Sequence, residues 1–297
     1  YDNIATEQER LSLRYALRAT DDLKLSLTAY QTTFARNWYK LNDAGTLTSG
    51  FKNASESLAG DHGADMVSVL KGDAAGYLRV RANNRTYEAK GIEAQAAWDI
   101  ATDTVSHRIE TGVRFHQDFI DRFQWQDIYT QATDGSAILT NPGTPGTQSN
   151  RRAESDALAF FVQDTITMGR LAVTPGLRIE RIDYTDIRRS TNPASLSTIT
   201  AISKKTLTTI APGLGFTWQA NDQTTWFGGV HRGISPPGPG SARNTLEEET
   251  SLSFEAGIRF NNRSDFSAEL VVFHTAFDDL IVEANAGGGG SAGITQN

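Results

Sequence analysis

The sequence contains no cysteine, and this absence excludes disulfide bonds, thiol nucleophiles and thiolate metal sites. It also has no run approaching the roughly 18 uncharged apolar residues of a membrane-spanning helix, which excludes a helical membrane protein. Hydrophobic residues make up only 38% of the chain, and the mean hydropathy is -0.40. Transmembrane β-barrels alternate lipid-facing and water-facing residues, so they are compatible with these low values.

An excess of positive charge is also lacking. Lys and Arg number 28 against 35 Asp and Glu, which gives a net charge of -7. A protein that binds nucleic acid by neutralising phosphates would need the opposite balance, so DNA or RNA is not expected as a partner. The five histidines have no metal-ligand spacing, and we predict no metal site and no cofactor. In strands, His116 should face a barrel interior and His274 the lipid.

Residues 156–187 contain two strands of alternating character joined by a tight turn. Leu158, Phe160 and Val162 share one parity, and Leu171 and the apolar residues that follow it at every second position repeat the pattern after the turn. A period of two predicts a strand with one apolar and one polar face. Only residues 168–170 separate the two arms, which indicates a β-hairpin. Each arm exceeds the usual strand length of about five or six residues.

The same pattern predicts ten strands in five hairpins, with short turns near Asp21, Ala101, Gly169, Asn221 and Asn261. Long loops are predicted near Asn42, Tyr129, Ser190, Ser235 and Ala284. Short turns at one end and long loops at the other are typical of outer-membrane barrels. Tryptophans close to the short turns would form an interfacial aromatic girdle: Trp98, Trp218 and Trp226. The fold class predicted is therefore all-β, an antiparallel transmembrane β-barrel of about ten consecutive strands.

Three stretches, in this order, resemble the barrel domain of TonB-dependent outer-membrane receptors. FFVQDTITMGRLAVTPGLRIERIDY (160–184) resembles the family's strand, short turn and "TPGLR" strand. APGLGFTWQANDQTTWFGGVHRGISPPGPG (211–240) resembles the next hairpin, and residues 247–282 the one after. Within the family, GGVHRGISPPGPG is most similar to receptors of the ferric dicitrate type.

The resemblance implies a barrel of about twenty-two strands around a plug. Residues 1–297 would then be the middle portion of that barrel, with the plug domain and the terminal strands absent. It further implies a transporter of the Gram-negative outer membrane that takes up a ferric chelate, either ferric citrate-like or a siderophore, and no enzyme. Its partners would be outer-membrane lipid and a TonB-type energy-coupling protein that contacts the missing amino-terminal region, with iron carried as cargo.

Arginines in the long loops or on their flanks are the candidate ligand-binding residues, because guanidinium groups bind the carboxylates of an anionic chelate in bidentate fashion. They are Arg79, Arg81, Arg85, Arg151, Arg152, Arg188 and Arg189. The pair Lys204 and Lys205 lies in a similar position. No catalytic residue is predicted.

Two other protein classes remain open from the sequence. A self-contained ten-stranded outer-membrane hydrolase would carry a cluster of His and Asp at the strand ends, and a soluble β-sandwich adhesin would have shorter strands around one core. Residues 289–293 match the pattern GxSxG but lie in a glycine run without the strand and helix that a nucleophile elbow requires. Acidic and basic side chains on the interior face should form cross-strand pairs rather than acid/base catalysts: Glu93, Glu110, Glu180, Glu255 and Glu269 with Arg14, Arg114, Arg178 and Arg259.

Overall fold

The computed structural model describes residues 2–262 and 264–281. It contains ten long strands and two short ones within the described residues. They are β1 (Asn3–Arg18), β2 (Leu23–Thr46), β3 (Lys52–Asn53), β4 (Gly76–Ala101), β5 (Ser106–Gln131), β6 (Ala137–Asn141), β7 (Ser149–Met168), β8 (Leu171–Arg189), β9 (Ile199–Gln219), β10 (Thr224–Ser235), β11 (Glu249–Asn261) and β12 (Ser267–Asp278).

The long strands form one antiparallel sheet in which sequence neighbours are also spatial neighbours. The order is β1-β2-β4-β5-β7-β8-β9-β10-β11-β12, while β3 pairs with β2 and β6 with β5. The predicted ten strands and five short turns are confirmed. The loop predicted near Ala284 and the 289–293 motif lie outside the described residues.

Several loop boundaries differ from the sequence predictions. The polar stretch 42–76 was predicted as a loop, but β2 continues to Thr46 and two short helices follow, α1 (Ala54–Leu58) and α2 (Ala64–Lys71). Met66 and Val69 of α2 pack against Ala44 and Leu78, which explains why this polar stretch is ordered. The strands β7 and β9 start earlier than predicted, so Lys204 and Lys205 lie within β9. None of the described helices is long and apolar enough to cross a membrane.

The sheet has an apolar face, on which exposed large hydrophobic side chains recur at every second position. It carries Leu13 in β1, Ile92 in β4, Phe115 in β5, Phe160 in β7, Phe216 in β9 and Leu252 in β11. The opposite, polar face carries the charged residues. His116 lies on the polar face, where its Nδ1 is 2.7 Å from the hydroxyl of Tyr30, and His274 is paired with Phe254 of the apolar face, as predicted.

The apolar face is bounded at both ends. A polar row crosses six strands in register toward the long loops: Gln31, Lys90, Gln117, Asp156, Asp183 and Thr206. At the other end, Trp98, Trp218 and Trp226 lie exposed on the apolar face beside the short turns, as predicted. From Lys90 to Trp98 the strand advances about 26 Å. In a barrel with tilted strands this length corresponds to about 20 Å along the barrel axis, which is comparable to the height of the apolar band of outer-membrane barrels.

Candidate ligand-binding site

Five arginines form a single row across the polar face. Strand register places Arg36 of β2 opposite Arg85 of β4, which in turn lies opposite Arg122 of β5. The row continues to Arg151 of β7 and Arg188 of β8. Directly opposed residues on one face of a sheet have Cβ atoms about 5 Å apart, and like charges there repel each other. A row of this kind is therefore a concentrated positive surface, which we call the arginine row.

The arginine row lies toward the long loops, beyond the apolar band. Arg85 precedes Lys90 of the polar border by five residues in β4, which places it about 16 Å closer to the long-loop end of the strand. It also faces away from the apolar face. A ligand bound there would contact the polar side of the sheet, between the level of the apolar band and the long loops.

Two members of the arginine row form ion pairs with Asp186, whose side chain is fully buried. The carboxylate of Asp186 lies 3.9 Å from Nε of Arg151 and 3.5 Å from Nε of Arg188. A sixth arginine, Arg243, comes from the segment between β10 and β11 and places its Nε 3.3 Å from the same carboxylate. Two of the predicted ligand-binding residues, Arg151 and Arg188, are thus already engaged with an acidic group.

The other half of the arginine row is Arg36, Arg85 and Arg122, and none of them forms an ion pair within the described residues. Their Nε atoms are buried and lack a hydrogen-bond partner in the described part of the chain. The Arg36 guanidinium lies 5.9 Å from the centre of the Tyr87 ring. A buried donor without an acceptor costs about 1–3 kcal/mol, more when it is charged, so these three groups are poised to bind an anion.

A cavity of about 610 Å³ lies against the middle of the arginine row, where Arg122 and Arg151 line it. Its walls include Phe34 and Tyr87, whose ring centres are 5.7 Å apart, together with Arg122. The segment 236–248 also lines it, through Gly240 and Arg243. The volume lies within the range of about 300–1,000 Å³ typical of small-molecule sites.

The remaining predicted arginines do not belong to one site. Arg79 lies on the polar face but pairs with Asp43 at 3.2 Å and stacks on Phe51, and Arg81 lies between it and the arginine row. Arg152 follows Arg151 in an extended strand and therefore lies on the opposite, apolar side, where it pairs with Glu154 and stacks on Phe119. Arg189 is the last residue of β8 and pairs with Ile199, at a point where the register with β9 shifts.

Two members of the arginine row, Arg36 and Arg122, were not predicted from the sequence. Neither flanks a loop, because β2 and β5 run on for ten and nine residues beyond them. The signal that identifies them is the pairing register of four neighbouring strand pairs. That register could be approximated by counting back from each short turn.

Two of the cross-strand pairs that the sequence predicts are present deeper on the polar face. Arg114 of β5 reaches Glu180 of β8 at 3.7 Å, passing over the small Ala159 of β7, and Arg259 of β11 lies 2.6 Å from Glu269 of β12. Within β8, Arg178 also binds Glu180 at 2.7 Å. The described residues contain no group of three or more His, Cys, Asp or Glu side chains able to hold a metal ion.

The family model described as TonB dependent receptor-like, beta-barrel matches residues 1–297. The fold is similar to that of the unliganded ferric citrate transporter FecA, with 17% identity, a TM-score of 0.66, and 94% of this chain and 36% of that chain covered. The fold is also similar to that of the closed form of the ferric-catecholate import receptor Fiu from E. coli K12. The identity is 12% and the TM-score 0.67, and the match covers 99% of this chain and 43% of that chain.

The siderophore receptor PiuA from Acinetobacter baumannii is also similar, with 12% identity, a TM-score of 0.66, and 92% of this chain and 40% of that chain covered. The chain thus spans well under half the length of these solved structures. No curated protein sequence matches it significantly. At these identities the solved structures establish the fold alone.

Proposed function

The chain belongs to the TonB-dependent receptor family through its β-barrel, and on that premise we propose that it forms part of an outer-membrane receptor that takes up an anionic ferric chelate. The observation that carries the proposal is the open half of the arginine row. The guanidinium groups of Arg36, Arg85 and Arg122 form no ion pair within the described residues, and Arg122 lines a cavity of about 610 Å³ next to the other two.

Chelates that hold Fe(III) with carboxylate or catecholate oxygens carry net negative charge. Guanidinium groups bind such oxygens through short, charge-assisted hydrogen bonds. The similar solved structures include a ferric citrate transporter and a ferric-catecholate import receptor, and their cargo classes agree with this chemistry. Ferric citrate is the smaller probe and is the chelate that the sequence resemblance suggested.

The rest of the transport machinery would lie outside the sequence considered. In the proposal, residues 1–297 are the middle portion of a barrel of about twenty-two strands, and a plug gates the lumen. A TonB-type protein of the inner membrane supplies energy through the amino-terminal region of the complete receptor. The apolar face contacts the lipid of a Gram-negative outer membrane, and iron passes as cargo without a resident cofactor.

Hydrolysis is the less favoured function. Members of the family are transporters, and the charged groups of the polar face pair with one another in the manner of structural ion pairs. The ten-stranded hydrolase considered from the sequence therefore has no observation in its favour.

The proposal is tested by uptake of radioactive ferric citrate into cells whose only ferric citrate receptor is the full-length protein. Replacing Arg85 and Arg122 together by Gln should lower uptake at low ferric citrate concentration. The reason is that binding should weaken by about 100-fold or more, because each charge-assisted hydrogen bond contributes about 1.5–3 kcal/mol. The matched control replaces Arg152 and Arg181, which lie on the other face, and uptake should persist. Equal loss in both double variants, or none in either, would refute this assignment.

A further inference from the structure

We propose that Asp186 is a positioning residue: it fastens the segment 236–248, here called the β10–β11 segment, over the arginine row as a fixed wall of the cavity. The effect on ligand affinity rests on the proposed function, whereas the attachment of the segment does not. Nothing in the sequence pattern singles out Asp186, because its partners come from three separate parts of the chain.

Asp186 forms ion pairs with arginines from two strands and one loop. Arg151 reaches it from β7, Arg188 from β8 and Arg243 from the β10–β11 segment, at 3.9, 3.5 and 3.3 Å. The Asp186 side chain has no exposed surface. One buried carboxylate therefore holds together three guanidinium groups that would otherwise repel one another, and only Arg243 is free to leave with a loop.

The β10–β11 segment has further attachments to the same part of the sheet. The hydroxyl of Tyr184 donates a hydrogen bond of 2.9 Å to the carbonyl of Pro237, and the Lys205 ammonium donates to the carbonyl of Leu246. Ala242 completes a small buried cluster on the polar face with Ala157, Ile182, Tyr184 and Leu207. These contacts cover the sheet beside the arginine row, so the ion pair of Arg243 acts within a packed interface.

The segment also lies directly against the arginine row. A Cβ atom on Gly240 would be 3.2 Å from a terminal guanidinium nitrogen of Arg151, so the segment backbone lies close to this side chain. The same segment lines the cavity together with Phe34 and Tyr87. Its attachment therefore sets the width of the cavity in which Arg122 meets its ligand.

Charge and positioning make opposite predictions for Asp186→Asn. By charge alone, removing an acidic group beside the arginine row should tighten the binding of an anion. By positioning, the loss of the carboxylate leaves Arg243 facing two unneutralised guanidinium groups, the segment detaches, and the preorganised cavity loses affinity. The sign of the change therefore separates the two roles.

The experiment uses the full-length receptor in outer membranes with a reporter, Ser241→Cys, in the β10–β11 segment. Ser241 is only 4% exposed and its hydroxyl has no hydrogen-bond partner in the described part of the chain, so a thiol of similar size fits. A membrane-impermeant maleimide is applied, and mass spectrometry quantifies labelling of the peptide that contains residue 241. Binding of ferric citrate is measured on the same preparations.

In Asp186→Asn we expect labelling to rise about tenfold or more and ferric citrate to bind about tenfold more weakly, since breaking a buried ion pair costs more than one factor of ten. The control Asp183→Asn, in the same strand but on the apolar side, should change neither. Arg243→Gln leaves Asp186 and both strand arginines in place and should reproduce the labelling increase. It carries the test if Asp186→Asn fails to assemble.

Unchanged labelling in both variants would overturn the proposal. Increased labelling accompanied by tighter ferric citrate binding would also overturn it, because the carboxylate would then act only through its charge. If the unmodified receptor binds no ferric citrate, the proposed function fails for that probe, while the labelling rates still decide whether Asp186 fastens the segment.

Discussion

Replacing Gly91 by Ala should destabilise the sheet more than the same change at another strand glycine. Gly91 lies between Tyr30 of β2 and His116 of β5 on the polar face, and the Tyr30 side chain crosses over it to bind His116. A Cβ atom at Gly91 would be 2.5 Å from the Tyr30 hydroxyl and 2.6 Å from the carbonyl oxygen of Phe115. The tyrosine could swing away, but the backbone oxygen is held by the sheet.

The cost follows from these contacts. Overpacking costs about 1–3 kcal/mol, and losing the hydrogen bond between Tyr30 and His116 adds about 1 kcal/mol. Replacing a strand glycine returns about 0.5–1 kcal/mol of backbone entropy. The net destabilisation of Gly91→Ala should therefore be about 1–3 kcal/mol.

The assay is equilibrium unfolding of the purified full-length receptor in detergent by guanidinium chloride, followed by tryptophan fluorescence. The matched control is Gly176→Ala, also on the polar face, where the nearest atom to a new Cβ is 3.6 Å away. That variant should be unchanged or slightly more stable. If the two variants have the same unfolding midpoint, the packing of Tyr30 over Gly91 does not have the role assigned to it.

Two further predictions concern the two faces of the sheet and the charge of the site. Phe160→Arg places a charge in the middle of the apolar face and should destabilise the barrel by about 2–4 kcal/mol. Gln163→Arg, beside Glu110 on the polar face, should be tolerated. If both variants gave comparable amounts of heat-modifiable barrel in outer membranes, the assignment of the two faces would be contradicted. Ferric citrate affinity should fall steadily as sodium chloride rises from about 10 mM to 500 mM, because guanidinium contacts are screened, and a salt-independent dissociation constant would argue for an uncharged contact.

The strands were predictable because the type of each residue in a strand depends on which face of the sheet it lies on. Leu158, Phe160 and Val162 alternate with residues of the other face. A strand with lipid on one side and water on the other has apolar residues at every second position, and this period is visible in the sequence. The short turns were also predictable, since the alternation stops there for only a few residues. Together these features determined the number of strands and the pairing of neighbours.

Loop structure was less predictable because it depends on contacts between distant segments. Helix α2 is short, and its apolar residues Met66 and Val69 find their partners in β2 and β4. Lys204 and Lys205 lie in polar sequence, yet backbone pairing with β8 makes them part of a strand. Local composition does not contain this information.

The binding site was only partly predictable for the same reason. Proximity to loops selected Arg85, which lies in the arginine row, but it also selected Arg152, which alternation places on the other side of the sheet. Arg36 and Arg122 come from the interior of long strands, and only the register of adjacent pairs aligns them with Arg85. Arg151 was also selected, and its pairing with the distant Asp186 beside the cavity was not foreseen.

The most direct test of this account is the dissociation constant of ferric citrate, measured by titration calorimetry on the purified full-length receptor with single arginine variants. We expect Arg85→Gln and Arg122→Gln each to weaken binding by about 10- to 100-fold, through the loss of one charge-assisted hydrogen bond. Arg152→Gln should bind as the unmodified receptor does. Normal affinity in Arg85→Gln and Arg122→Gln, with a loss confined to Arg152→Gln, would place the ligand on the other side of the sheet and contradict the account.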